Sequence, residues 1–365
     1  MKVRFLDLTV TDKHEYNVLL DSFSKVLHHG QLVMGPEVEE FEKSIADYCG
    51  RKFAISVGSG TDALYLGLRS LDIGTGDEVI TTSLSWIATA NAIAITGATP
   101  VFADIKNDLS IDPLGIEPLI TKKTKAILVV DYTGKICDMD GVRSIADKYN
   151  LHLIEDGSQS FGAEYKGKKC GSFGVLSAIS HNPMKVFAAT GEAGTILCDD
   201  EKIYTRLVSL RYNGTVNREI CVEPSLNGRM DTIQASALLE RLKLLSSVIE
   251  PRRKNAQFYD KKLSKYVITP PPSPDSKDVF YTYTIRSSKR NELKDYLEKN
   301  GIETKIQHPL LMPQQPAYKN NVKGRFINAE KIINEVLCIP VHEKLSQSQL
   351  SYVVKKIIEF GDTRP

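Results

Sequence analysis

The stretch SHNPMKVFAATGEAG, Ser180–Gly194, places one lysine between a short apolar run and a glycine-rich turn. An isolated lysine is most often a solvated surface residue. The alternative is a lysine in a partly desolvated pocket, where a lowered pKa turns the amine into a Schiff-base nucleophile. The surroundings of Lys185 decide between the two. Upstream, the short β-rich runs FAISV, EVITTS, PVFADI, KAILVVD and LHLIED alternate with the helical patterns TDALYLGLRSL, SWIATANAIAITG and MDGVRSIADKYN. Such alternation predicts βαβ units and a mostly parallel sheet covered on both faces. GVLSAIS and AGTILCDD read as further strands with a glycine-rich connection.

Downstream, RMDTIQASALLERLKLLSSVIEPRRKNAQFYDKKL is a long helical pattern that ends near Leu263, and Pro251 should kink or divide it. The loop ITPPPSPDSKD leads into a smaller unit: strand VFYTYTIRS, helix KRNELKDYLEKN stopped by Gly301, and a last helix SQSQLSYVVKKIIEF. The expected plan is a large α/β domain over residues 1–250 and a small C-terminal α+β domain over 251–365.

Composition narrows the function. With 365 residues, 42% of them hydrophobic, the chain can build a large core. A net charge of +2 gives no basic field for nucleic acid and no acidic tail. No apolar run is long enough to span a membrane, and the start MKVRFLDLTVTDKHEY lacks a signal-peptide core, so a cytoplasmic location is expected. The six cysteines (Cys49, Cys137, Cys170, Cys198, Cys221, Cys338) form no C-x-x-C pair, and the seven histidines show no ligand spacing. Neither a disulfide frame nor a metal site is expected.

In open parallel sheets, ligands bind beyond the carboxyl ends of the strands. After FAISV comes GSGTDAL, Gly58–Leu64, whose free N–H groups at a helix start suit a phosphate. A plain turn capped by Thr61 or Asp62 would explain it as well. After EVITTS comes Trp86, either a core anchor or a flat lid for a planar ring. After LHLIED comes EDGSQSFGA, where Asp156 and then Gln159 follow an apolar strand. A carboxylate there suits a protonated ring nitrogen, or caps the next turn. A phosphate cradle, an aromatic plane, a carboxylate for a ring nitrogen and a solitary lysine together are the parts of a pyridoxal 5'-phosphate site.

The same blocks resemble the DegT/DnrJ/StrS family of sugar aminotransferases, nearly end to end. MGPEVEEFEKSIADYCGRKFAISVGSGTDALYLGLRSLDIGTGDEVIT is similar to the family's N-terminal block and EDGSQSFGAEYKGKKCGSFG to its ring-nitrogen block. Ser180–Gly194 matches its lysine block, LNGRMDTIQASAL its N-x-R-[ML]-D-x-x-Q-A signature, and LLMPQQPAY with VLCIPVHEKLSQSQL its C-terminal signature. The resemblance implies a fold type I transferase, α/β, with a mostly parallel seven-stranded sheet between helices in the large domain. It implies that Lys185 forms the Schiff base with pyridoxal 5'-phosphate and shuttles a proton, and that Asp156 pairs with the pyridine nitrogen. Gln159 would touch the phenolic side of the ring, Trp86 would stack on it, and Gly60, Thr61 and Ser180 would hold the phosphate. Asn227 would reach the phosphate of a neighbouring subunit, which makes a homodimer with shared active sites the expected unit. His308 and Arg229 would meet the substrate.

Departures from the family pattern bear on which substrate fits. Asp131 and Asn213 stand where histidines are common, Val186 follows the lysine in place of asparagine, and His308 occupies a frequent tyrosine position. The implied activity is transfer of an amino group from L-glutamate to a keto-sugar, nucleotide-linked and aminated at C3 or C4. NGRMDTIQA leans toward 3-keto sugars. The alternatives are a small phosphorylated ketone or keto-cyclitol as acceptor, or a regulator that binds the cofactor without turnover.

Overall fold

The computed structural model describes residues 1–319 and 324–362. Seven strands form the central sheet: β1 (Phe53–Val57), β2 (Glu78–Thr82), β3 (Thr99–Ala103), β4 (Thr124–Val130), β5 (His152–Asp156), β6 (Leu176–Ser180) and β7 (Gly194–Cys198). Their order is β1-β7-β6-β5-β4-β2-β3. Only β7 is antiparallel to its neighbours in this sheet. The reason is local: β6 and β7 are joined at one end by residues 181–193, whereas parallel neighbours need a crossover across the sheet. β1 is thereby parallel to β6, and the carboxyl ends of β1, β2, β4, β5 and β6 share one edge.

Alternation along the strands builds two cores. Ile80, Ile127, Val129 and Leu153 point into a layer with α2 (Pro36–Cys49), α5 (Met139–Tyr149) and the first half of α7 (Thr232–Leu263). Val79, Ala126, Leu128 and Ile154 point the other way, toward α3 (Gly60–Ser70) and α4 (Ala88–Ile95). The fold is therefore α/β with a mostly parallel seven-stranded sheet. Farther along, β8 (Tyr283–Arg286) pairs with β9 (Val336–Ile339). They pack with α8 (Arg290–Lys299), α10 (Gln347–Asp362) and the end of α7 around a third core, which Val3 also joins.

Of the kink or division expected at Pro251, the division does not occur: helix α7 continues past it. Tertiary contacts hold the part beyond the proline in place. Arg252 pairs with Glu343, Asn255 Nδ2 donates to the Val341 and His342 carbonyls, and Tyr259 Oη donates to the Pro340 carbonyl.

One buried cation organises the approach to β6. Arg51, its side chain 5% exposed, donates to the carbonyls of Gly171, Phe173 and Gly174 and to Ser177 Oγ, and pairs with Asp199 at 2.6 Å. Removing it takes the side-chain donor from the Gly171 and Gly174 carbonyls and the cation from Asp199. Arg51→Ala should cost about 3 kcal/mol, read as a lower urea midpoint. An unchanged midpoint would show that water replaces the guanidinium at little cost.

Candidate active site

The residues singled out from sequence gather at the carboxyl edge of the sheet. Beyond β1, Ser59 caps α3, its Oγ accepting from the Asp62 N–H at 3.0 Å. The cap is thus neither Thr61 nor Asp62, because the helix has already begun at Gly60. The N–H groups of Gly60 and Thr61 fall in the first turn, where no carbonyl of the helix can receive them. A Cβ on Gly60 would lie 2.5 Å from Ser180 Cβ, so glycine is what lets the start of α3 meet the end of β6. Ser180 Oγ accepts from the Asn182 N–H at 3.3 Å.

Lys185 rides on the turn between β6 and β7. His181 closes that turn at both ends: its N–H donates to the Ala193 carbonyl at 2.8 Å and its carbonyl accepts from the Ala189 N–H at 2.7 Å. The imidazole bonds Thr195 Oγ1 at 2.9 Å and meets Phe41, Phe161 and Phe187 edge-on. Burial pushes its pKa down to about 3, so the staple is neutral. The Lys185 residue keeps some exposed surface, but its Nζ lies inward, 4.8 Å from the centroid of the Tyr281 ring. Burial lowers its pKa to about 8 against the attraction of Asp156 and Glu192, and Lys305 pushes the same way as burial. Lys185 is the desolvated lysine of the two sequence readings.

Asp156 closes β5 and is 4% exposed. Its Oδ2 accepts from Thr89 Oγ1 at 3.0 Å and its Oδ1 from the Ser158 N–H at 3.2 Å. One oxygen caps the next turn, while the other is held by Thr89 of α4. Gln159 Oε1 accepts from the Thr133 N–H at 3.0 Å. Trp86 is 60% exposed, which rules out a core anchor. Its ring centroid lies 5.9 Å from that of His308, which in turn is 5.6 Å from that of Tyr132. His308 is 8% exposed and its buried Nε2 has no hydrogen-bond partner. Burial lowers its pKa to about 3, with Lys305 and Lys185 adding to the effect. A neutral, buried ring nitrogen without a partner is suited to receive a ligand.

Asn227 and Arg229 sit apart from this group. Asn227 is exposed, and its Oδ1 accepts from Arg229 Nε at 2.7 Å. The Arg229 guanidinium lies 4.3 Å from the Tyr212 ring centroid. Their backbone borders the turn before α3, where the Gly58 N–H donates to the Gly228 carbonyl at 2.9 Å. Within one chain, neither side chain hydrogen-bonds Gly60, Ser180 or Lys185. A cavity of about 650 Å³ lies on another side of Lys185, under the segment Leu6–Glu15 and beside Arg241 and Arg252. It touches none of Gly60, Trp86 and Asp156.

Sequence reasoning missed Thr89, Tyr281, Glu192 and Lys305. Glu192 stands within the quoted lysine stretch and could have been found there. The other three are ordinary residues in sequence and become site residues only through folding. The arrangement fits pyridoxal 5'-phosphate: a cradle that a Cβ on Gly60 would fill, an inward lysine, a buried carboxylate with a supporting hydroxyl, and an exposed indole.

Comparison with known proteins agrees. The DegT/DnrJ/EryC1/StrS aminotransferase family matches residues 14–358. The chain is similar to a pleiotropic regulatory protein of Geobacillus stearothermophilus, 35% identical over 99% of both chains. It is similar to UDP-2-acetamido-2-deoxy-3-oxo-D-glucuronate aminotransferase of Pseudomonas aeruginosa, 34% identical over 96% of this chain and 98% of that one. Its fold matches S. venezuelae DesV, solved in complex with a ketimine intermediate, with TM-score 0.97, 34% identity and full coverage of both chains.

A lysine with its pKa near 8 exposes its free amine as pH rises through that value. The rate at which cofactor-free protein captures pyridoxal 5'-phosphate, followed by absorbance, should climb about tenfold per pH unit below 8 and level off above it. A midpoint near 10 would mean that the ammonium is solvated.

Proposed function

Because the chain belongs to the DegT/DnrJ/EryC1/StrS aminotransferase family, we propose that it moves an amino group from L-glutamate to a nucleotide-linked keto-sugar, with pyridoxal 5'-phosphate held at Lys185. The observation that carries this reading is the inward Lys185 ammonium in the field of the buried Asp156. Two relatives are named for nucleotide-linked sugars modified at C3, which supports a 3-keto acceptor.

When bound, pyridoxal 5'-phosphate supplies an aldehyde carbon for amines and a ring that accepts electrons. The chain's own residues do the rest. Lys185 Nζ, poised near 8, can both take up and return a proton near neutral pH. Asp156 holds positive charge at the ring nitrogen, and Thr89 keeps the carboxylate oriented. Trp86 covers one face of the ring, and Gln159, anchored by Thr133, borders its phenolic side. Gly60, Thr61 and Ser180 bind the phosphate. The free Nε2 of His308 meets a hydroxyl of the sugar, and Arg229 contacts the substrate. In this reading residues 1–250 form the cofactor domain and 251–365 a small domain closing over the substrate.

Asn227 is assigned to the phosphate of a second copy, so the working unit is a homodimer with shared sites. Its exposure and lack of a phosphate-side contact within one chain support that assignment. Among the described residues no helix is long and apolar enough to cross a membrane, and we place the enzyme in the cytoplasm. A second reading, a regulator without turnover, is favoured by the name of the Geobacillus relative. Conversion of bound cofactor by L-glutamate, seen as a shift in absorbance, separates the two: no shift leaves the regulator.

Asp156→Asn should keep the cofactor yet lose on the order of a hundredfold in turnover, since an amide cannot hold the ring's positive charge. Near-normal turnover would move that role to another residue.

Mixed dimers test sharing. With Asn227 acting across the dimer, one Lys185→Ala chain paired with one Asn227→Ala chain gathers both lesions in one site and leaves the other intact. Such dimers should recover about half of wild-type activity. Recovery no better than the average of the two parent dimers would place Asn227 in its own subunit's site.

A further inference from the structure

Beneath the candidate site, two carboxylates meet in the dry interior. β4 and β5 are adjacent, with Val130 opposite Asp156. Asp131, which follows the first, and Glu155, which precedes the second, are both fully buried. Oxygens of both and Cys170 Sγ lie within 4.8 Å of one another. The Glu155 oxygens accept from the N–H groups of Gly171 and Phe173, at 3.0 and 3.1 Å, and from Ser177 Oγ at 2.5 Å. Asp131 Oδ1 accepts from the Cys137 N–H at 3.1 Å, and its Oδ2 is 3.9 Å from Cys170 Sγ. The groups facing Asp131 are Glu155 and Asp156 from β5, Cys137 from its own loop and Cys170 from the loop before β6. The Arg51 guanidinium reaches only as far as Ser177 Oγ, at 3.2 Å.

Two carboxyl groups with oxygens within 4.8 Å of each other in the dry interior disfavour a second negative charge. We propose that Asp131 and Glu155 share one proton, so that Asp131 is a positioning residue, a neutral acid that ties together the ends of β4 and β5. Through it the pair fixes the turns that carry Asp156 and Gln159. The Asp131 N–H donates to the Asp156 carbonyl at 3.0 Å. The Asp131 carbonyl accepts from Ser160 Oγ at 2.8 Å, and two residues on, the Thr133 N–H holds Gln159. Burial and the adjoining Glu155 hold the Asp131 carboxyl well above its ordinary range. The proposal rests on the roles given above to Asp156 and Gln159 only for its catalytic consequence.

A carboxyl whose pKa rises on folding weakens the fold as pH climbs from about 4 toward the folded value. Asparagine is the shape of the protonated acid: its Nδ2 can donate to Glu155 while its Oδ1 accepts from Cys137, with no proton to lose. The test compares wild-type holoenzyme, Asp131→Asn and Asp131→Ala by chemical denaturation from pH 5 to 9 and by kcat. Wild type should lose stability with rising pH relative to Asp131→Asn, by about tenfold or more in the unfolding constant. Asp131→Asn should keep kcat within about threefold, whereas Asp131→Ala, which removes the carboxyl that accepts from the Cys137 N–H, should release cofactor about tenfold more readily. A wild-type-to-Asn difference that is flat with pH overturns the shared proton, and so does an Asn variant as damaged as the Ala one. If Asp131→Ala does not fold, the pH comparison with Asp131→Asn decides alone. A pH dependence as expected, with kcat unaffected in all three proteins, would support the shared proton and count against the roles given to Asp156 and Gln159.

Discussion

The Lys185 ammonium lies over the Tyr281 ring and within the field of Asp156 and Glu192, with little water to solvate it. Everything around the carboxyl edge of the sheet can be read as a response to that one uncomfortable charge. The turn that carries it is closed by a neutral imidazole and three phenyl rings, not by charged groups that would raise its pKa again. Asp156 opposes the desolvation but is itself occupied by Thr89 and Ser158, so the two remain separate and no salt bridge quenches the amine. His308, close enough to feel Lys185 and Lys305, is held neutral by them and by burial. Burial thus shifts both Lys185 and His308 toward their neutral forms, because it denies the charged forms full solvation.

How much of this was legible in the sequence depends on distance along the chain. The strands and helices of the sheet domain were readable because period-2 runs and helical spacing are local properties. Asp156 was readable because it closes an apolar strand, and Lys185 because it is the one lysine between a short apolar run and a glycine-rich turn. The cap of α3 was misplaced by two or three residues, since Ser59, Thr61 and Asp62 are all competent caps and only the backbone decides which one precedes the helix. That Pro251 does not divide α7 was hidden for the opposite reason: the rule for proline is local, while the contacts of Arg252, Asn255 and Tyr259 that hold the rest of α7 come from residues 280–343.

The parts of the site that were not legible are those made by remote partners. Thr89 looks like any threonine in a small-residue helix until β5 brings Asp156 to it. Tyr281 stands in the strand pattern VFYTYTIRS and Lys305 follows the helix KRNELKDYLEKN, about a hundred residues beyond Lys185, and nothing local to either points back to that lysine. Asp131 could be noticed as a departure from a pattern, but its pairing with Glu155 needs the register of β4 on β5. Asn227 shows the limit most plainly: within one chain its amide oxygen turns to Arg229, two residues on, and away from Gly60 and Ser180.

The placement of β1 has a consequence for the ribosome rather than the enzyme. Phe53 pairs with Cys198, so the strand that leads into the phosphate turn must wait for a partner made much later. At about 5–20 residues per second, that wait lasts roughly ten to thirty seconds of synthesis. During it FAISV is an apolar strand with no sheet to join, the kind of segment that invites pairing with another nascent chain. Until β7 is made, α2 and α3, the neighbours of β1 in sequence, are its available cover. Slow translation through residues 58–193 would prolong the exposure, and yield in a cell would depend on chaperone supply more than on the stability of the finished fold.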